Sequence, residues 1–370
     1  MKQIPLFRPI LSNNDYRTIV KSLKTGWLTH GYNNLKFEKV FCNLIGVKYA
    51  ISMNSCTSAL ECALKIIKKK GEVIIPSWTW VSTANAVLNT GNIPVVADVD
   101  INSRNINAHE IKKCITKKTI AVIIVHFAGL PCEMGNILKL TKKRKIELIE
   151  DSAETLGATW KKKYTGSFGI GCFSFFPTKN ITTCEGGMLT TNSIERYIEI
   201  KKLIAHGINK SKKKHFWNRE ADLAGHNYRL ANHLAGLGIS QFKQLLKFNK
   251  QRIMIANKYD NFFKKLPDKF YVQKVNSNLT HSYQMYSILI NSKYRNTLLY
   301  YLKKNNIEAS AHFDPPLHQQ KYLKKYSKKL PNTEKLAKEI ITLPIYPRLR
   351  QNDLNRIFKV IKNWYKKNKK

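Results

Sequence analysis

The stretch Phe173-Ser174-Phe175-Phe176-Pro177-Thr178-Lys179-Asn180, with the glycine pair Gly186-Gly187 just beyond it, decides how this chain is read. Upstream, the apolar run 146–149 ends in Glu150-Asp151-Ser152-Ala153-Glu154. An acid at the end of one strand and a lysine in the loop after the next are the two groups that a pyridoxal phosphate (PLP) site requires. The lysine forms the Schiff base, and the aspartate keeps the pyridinium nitrogen protonated. Either residue alone carries little weight in a chain this rich in lysine. Their shared setting makes an enzyme the leading reading.

Outward from that stretch, the chain alternates β-branched runs with amphipathic segments from about residue 45. The runs fall at 73–75, 94–97, 120–127, 146–149, 172–176 and 188–191. Their near-continuous hydrophobicity predicts strands buried on both faces, in a mostly parallel sheet covered by helices. A helix is predicted over 57–69, with Leu60, Ala63, Leu64 and Ile67 on one face and Gly71 as its stop. Others are predicted over 107–115, 231–246 and 248–266, and the basic stretch 209–220 reads as an exposed loop. Beyond about residue 270 come a strand at 286–290, a helix over 297–305, a loop at Asp314-Pro315-Pro316 and a closing helix at 352–365. The chain therefore reads as α/β, with a large PLP-binding domain at 1–245 and a smaller C-terminal α+β domain at 246–370.

Composition bounds the partners. The net charge is +40, and lysines are spread along the chain at 68–70, 161–163, 212–214 and 366–370. Sequence-directed nucleic-acid binders concentrate charge on one element, whereas a dispersed excess reads as solvated surface. Abundant lysine, asparagine and isoleucine together are what an AT-rich genome imposes. A nucleic-acid-binding protein driven by charge is the non-enzymatic reading, and it predicts binding that fades with salt. Seven cysteines, none in a C-x-x-C pair, predict reduced thiols and no zinc site. The N-terminus lacks the apolar core of a signal peptide, and the longest apolar run, 120–130, is interrupted by His126. The expectation is a soluble, cytoplasmic protein with no membrane partner.

Two further segments carry chemistry. Asn54-Ser55-Cys56-Thr57-Ser58 opens a helix after the apolar run 49–52, and hydroxyls with free amides at a helix N-terminus make a phosphate site. Ordinary N-capping explains the same hydroxyls. Pro76-Ser77-Trp78-Thr79-Trp80-Val81-Ser82-Thr83 places two tryptophans on a strand-to-helix turn, as a stacking face for a planar ring or as core aromatics.

These blocks, in order, resemble the DegT/DnrJ/EryC1/StrS sugar aminotransferases, PLP enzymes of the type I aspartate aminotransferase fold. The resemblance runs almost end to end. It includes Gly26 to Gly31, Cys56 to Leu60, Pro76 to Thr83, Val125-His126, Gly129 and Pro131, and Glu150 to Glu154. It continues through Gly166 to Gly169, Phe173 to Lys179, Glu185 to Met188, Asn227-Tyr228-Arg229, Pro331-Asn332 with Glu334, and Leu343 to Pro347. It implies that Lys179 is the Schiff-base lysine and Asp151 the partner of the ring nitrogen. Trp80 stacks on the ring, Glu154 lies near it, and Thr57, Ser58 and Ser174 hold the phosphate. Asn227 reaches the neighbouring subunit's phosphate in a homodimer with shared active sites. Cys56 and Cys184 stand where glycine is usual.

The resemblance further implies L-glutamate as amino donor and a nucleotide-linked keto sugar as acceptor. Relatives that dehydrate sugars carry histidine at the lysine position, so Lys179 argues against that chemistry. Glu154 and the run 173–176 resemble the branch that aminates C4 of 4-keto-6-deoxy sugars. The expected product is dTDP-viosamine from dTDP-4-keto-6-deoxyglucose, with GDP-perosamine next and C3 amination third. His312, Phe313 and His318 are expected to line the sugar-nucleotide pocket, unless the histidines are simply loop surface.

Overall fold

The computed structural model describes residues 2–209, 215, 217–266 and 269–368. Among them, a seven-stranded sheet runs in the order Tyr49–Met53, Gly187–Thr191, Ile170–Ser174, Glu147–Asp151, Thr119–Val125, Glu72–Pro76, Ile93–Ala97. The five strands from Ile170–Ser174 to Ile93–Ala97 are mutually parallel. Gly187–Thr191 is antiparallel to both of its neighbours.

The continuous apolar runs have a direct cause. Val73, Ile75, Ala121, Ile123 and Ile149 pack into one core, and the alternating residues Ile74, Val122, Ile124 and Leu148 pack into another. Successive side chains point to opposite faces, so both faces must be apolar when helices cover both. Helices Cys56–Lys65 and Val81–Asn89 cover the first face, and Ala108–Cys114 and Met134–Arg144 the second.

The C-terminal part is an antiparallel sheet of Phe270–Val272, Tyr286–Ile290 and Ile340–Leu343. Helices Ser292–Lys304 and Gln351–Lys367 pack on its core. Helix Leu245–Phe263 joins both regions. Leu245 and Phe248 pack with Phe37, Phe173 and Phe175, while Ile255, Tyr259 and Phe263 belong to the C-terminal core. The N-terminal segment also crosses over: Ile4 lies in the C-terminal core and exchanges backbone bonds with Asn306 and Glu308.

Some boundaries move. The helix expected over 57–69 is Cys56–Lys65, capped in ordinary right-handed geometry at Ile66. Gly71 is not its stop. It precedes the next strand, where a Cβ would lie 2.4 Å from the Lys118 carbonyl oxygen, so close backbone approach explains the glycine. The apolar run 120–127 ends as strand at Val125, and Phe127–Gly129 forms a 3-10 turn. Of the loop expected over 209–220, residues 210–214 and 216 lie outside the described residues, as do 369 and 370 of the basic tail.

Glu150 fixes the sheet next to the chemistry. It is fully buried, and its carboxylate accepts from the amides of Gly166 (2.8 Å), Phe168 (2.7 Å) and Gly169 (2.8 Å). His126 Nε2 lies 3.2 Å away, and its Nδ1 accepts from the Cys132 amide, which leaves Nε2 to donate. Four donors thus converge on one acid and bind the turn before strand Ile170–Ser174 to the end of strand Glu147–Asp151. Glu150→Gln turns two acceptor positions into donors facing donors. It is expected to cost about 3 kcal/mol or more, read as a lower urea midpoint at unchanged slope. A midpoint within error of the parent would contradict this account.

Candidate active site

Two adjacent parallel strands present the two key residues at one edge, where ligands gather in open α/β sheets. Asp151 is the last residue of strand Glu147–Asp151, and Lys179 follows strand Ile170–Ser174 in a turn closed by its amide on the Phe176 carbonyl (2.9 Å). Lys179 Nζ lies 3.6 Å from Glu154 Oε1. Glu154's other oxygen accepts from the Ala128 amide (2.7 Å), so the carboxylate is held from behind.

Asp151 is 5% exposed. One oxygen accepts from Thr83 Oγ1 (3.0 Å), the other from the Ala153 amide (3.2 Å), and the Cys56 thiol lies 3.9 Å away. No cation among the described residues is in ion-pair contact with it. Burial therefore raises its carboxyl above the usual range, against the smaller opposing effects of the Ala153 and Thr83 hydrogen bonds and the Lys179 charge.

The phosphate expectation meets a built helix N-terminus. Ser55 caps helix Cys56–Lys65 through the Ser58 amide (3.1 Å). Ser58 is buried, and its hydroxyl donates to Asn54 (2.6 Å), so capping engages it. The amides of Cys56 and Thr57 have no protein partner among the described residues, and Thr57 is half-buried. Gly187 lies against this turn, where a Cβ would meet the Ser55 carbonyl carbon at 2.3 Å. Ser174 pairs with Gly187 across the sheet, which brings it to the same end. Cys56 is the first helical residue with no left-handed backbone, so its glycine-like position imposes no strain. Cys184 does adopt φ 68°, a region that favours glycine.

Trp80 precedes helix Val81–Asn89 and is 61% exposed. Phe313 packs beside it (ring centroids 6.2 Å) and against Trp78 and Phe127. His312 bonds Thr342 Oγ1 (3.1 Å). Burial lowers its imidazole below the ordinary value, with the Glu154 charge opposing and the Lys179 charge adding to the effect.

Two expected residues have other partners in this chain. His318 is 3% exposed, with Nδ1 2.7 Å from Ser77 Oγ and Nε2 3.7 Å from Glu334. It fastens the Pro-rich segment to the end of strand Glu72–Pro76 and is not loop surface. Asn227 is exposed, and its side chain accepts from Arg229 (3.0 Å).

Sequence reasoning missed the clamps on the lysine turn. Gln284 Nε2 donates to the Thr178 carbonyl (2.9 Å), and Asn180 Nδ2 bonds Asn249 (2.7 Å) and the Ser282 carbonyl (3.2 Å). Buried Arg252 reaches the Lys179 and Asn180 carbonyls at 3.5 Å. These partners come from segments more than 60 residues downstream, and no local motif marks them. Thr83 was visible only as the end of the tryptophan block.

The geometry has counterparts. A family model described as the DegT/DnrJ/EryC1/StrS aminotransferase family matches residues 9–362. GDP-perosamine synthase of Escherichia coli O157:H7 is 34% identical over 99% of both chains. Spore coat polysaccharide biosynthesis protein SpsC of Bacillus subtilis is 32% identical over 97% of this chain and 96% of that one. The solved structure of Helicobacter pylori PseC, an aminotransferase involved in the biosynthesis of pseudoaminic acid, superposes with a TM-score of 0.94. It is 30% identical, and the match covers 99% of this chain and 100% of that one. The chain belongs to the DegT/DnrJ/EryC1/StrS family and is a PLP-dependent sugar aminotransferase.

The donor set fits that cofactor. A buried carboxylate lacking a contacting cation suits a protonated ring nitrogen, and the amides of Cys56 and Thr57 suit a phosphate.

The raised Asp151 carboxyl has a signed consequence. The folded apoprotein binds this proton more tightly than the unfolded chain, so the group's contribution to stability is present at low pH and lost as pH rises through the raised value. Apo Asp151→Asn is therefore expected to gain thermal stability relative to the parent as pH increases from about 4 to about 7. Thermal unfolding of cofactor-free protein across that range checks it. A variant that loses ground with rising pH would refute the assignment.

Proposed function

We propose that this enzyme transfers the amino group of L-glutamate to C4 of a nucleotide-linked 4-keto-6-deoxy sugar, with dTDP-4-keto-6-deoxyglucose as acceptor and dTDP-viosamine as product. The observation that carries the reading is the Lys179 amine set against Glu154 beside the buried Asp151. A lysine there supports transamination over dehydration. The relative named GDP-perosamine synthase favours a second reading, a GDP-linked sugar in place of the dTDP-linked one. C3 amination is the third.

In this reading each residue has a role. The amides of Cys56 and Thr57, with the Thr57, Ser58 and Ser174 hydroxyls, hold the cofactor phosphate. Asp151 keeps a proton on the ring nitrogen, and Trp80 offers its exposed face to the ring. Bound PLP supplies an electron sink for the pair released when the donor's α-carbon loses its proton. Lys179 Nζ takes that proton, and in the second half-reaction delivers one to the sugar carbon that receives nitrogen. Glu154, fixed by the Ala128 amide, keeps the amine aimed. His312 and Phe313 border the space for the sugar nucleotide.

The shared site of a homodimer belongs to the same proposal. Trp27, Leu28, Tyr32 and Leu35 are all exposed within one short stretch, an apolar surface that a second copy would cover. Asn227 then serves the neighbouring site.

Three measurements test this. Purified protein is expected to be yellow, with an absorbance band that bleaches on adding glutamate; Lys179→Ala abolishes the bleaching. The amino-charged enzyme is then offered dTDP-, GDP- and UDP-linked 4-keto-6-deoxy sugars, and NMR reads the aminated position. Nitrogen at C3 would overturn the regiochemistry, and a wild-type protein colourless with added PLP would overturn the function. For the shared site, equal amounts of Lys179→Ala and Asn227→Ala protein are refolded together. Random pairing restores about a quarter of wild-type activity if sites are shared. Recovery no greater than that of the Asn227→Ala protein alone would exclude sharing.

A further inference from the structure

A second basic site lies away from Lys179. A groove of about 600 Å³ is bordered by the loop after strand Ile93–Ala97, strand Phe270–Val272, the start of helix Ser292–Lys304 and helix Pro331–Glu339. Among the described residues, Arg104, Lys269, Lys293 and Lys335 line it against a single acid, Glu339. That volume suits a small molecule rather than a bare ion.

Arg104 is the unusual member. It is 1% exposed, yet none of its hydrogen bonds goes to an acid. Nη1 donates to the Ser287 carbonyl (3.0 Å) and hydroxyl, Nη2 to the Tyr271 carbonyl (3.4 Å), and Nε has no partner among the described residues. Burial lowers this guanidinium to about 9. Neutral oxygens solvate the cation without cancelling its charge, and a positive floor remains beneath the groove. The amino end of the 13-residue helix Ser292–Lys304, capped by Asn291, adds its dipole from one side.

We propose that this groove binds the phosphate group of a small phosphorylated metabolite. Arg104's fork is already engaged by carbonyls, so it offers no planar bidentate grip for a carboxylate. Three ammonium groups, two of them also lying over the Tyr294 ring, and a helix N-terminus instead border the same groove as buried Arg104, and point charges of this kind suit a compact, multiply charged tetrahedral anion. Tyr271, 60% exposed on the groove wall, gives the rest of the metabolite a face to lie on. The site does not depend on the transamination reading.

Pyrophosphate titrated calorimetrically into the PLP-loaded full-length protein tests the proposal. The expected result is one saturable site per chain, weakened at least about tenfold in Lys293→Ala/Lys335→Ala. Lys142→Ala/Lys143→Ala removes the same charge from an exposed helix elsewhere and is expected to leave binding unchanged. Arg104→Gln is expected to lose the site; the surface pair decides the matter if that variant does not fold. Absence of saturable binding, equal weakening in both lysine pairs, or no weakening in the groove pair would overturn the proposal. Citrate binding tighter than pyrophosphate would overturn the assignment to phosphate.

Discussion

A carboxylate buried without a contacting cation is the constraint around which this molecule is arranged. Asp151 sits at the end of a central strand, 5% exposed, with a hydroxyl, an amide and a thiol around it. Such a group is costly to ionise in the apoprotein. It persists because the strands on either side, and the helix carrying Thr83, are fixed by apolar cores of which Asp151 is not itself a member. The protein thus holds an electrostatic mismatch in place, which the cofactor's ring nitrogen is suited to relieve.

Glu150, one residue earlier, faces the opposite way and meets the opposite situation. Its four donors satisfy it completely. Adjacent positions on a strand point to opposite faces, so one pair of acids supplies both a structural anchor and an unpaired charge. The anchor binds the turn before the next strand, and that strand leads directly to Lys179. The distance between acid and lysine is therefore set by the sheet. The final aim of the amine is set by the C-terminal clamps Gln284, Asn249 and Arg252.

What was legible in the sequence follows from the range of the interactions. The buried strands could be read because both of their faces are apolar, a local property. The placing of Asp151 and Lys179 at the ends of neighbouring strands could be read because each has a distinctive local neighbourhood. Gly71 misled because a helix stop and a close backbone approach demand the same residue. His318 was expected at the sugar-nucleotide pocket or on loop surface. Its burial comes from Ser77, 241 residues away. Asn227, expected to reach a neighbouring subunit, pairs in this chain with Arg229, two residues away.

Composition shaped the interior as well as the surface. With 64 basic residues and 24 acids, most cations have no acid to meet. Several of the acids that are buried accept from the protein's own amides and hydroxyls: Glu150 in the sheet, Asp98 at helix Pro331–Glu339, and Asp15 at the first helix. Two arginines, Arg104 and Arg252, are buried against neutral oxygens, carbonyls and in Arg104 also the Ser287 hydroxyl, and burial lowers both. Arg252 uses its position to steady the lysine turn, a role that needs only neutral acceptors. Arg104 has no such turn to hold. It faces a groove lined with further cations, and that difference in surroundings, not in burial, separates a scaffold arginine from one that awaits an anion.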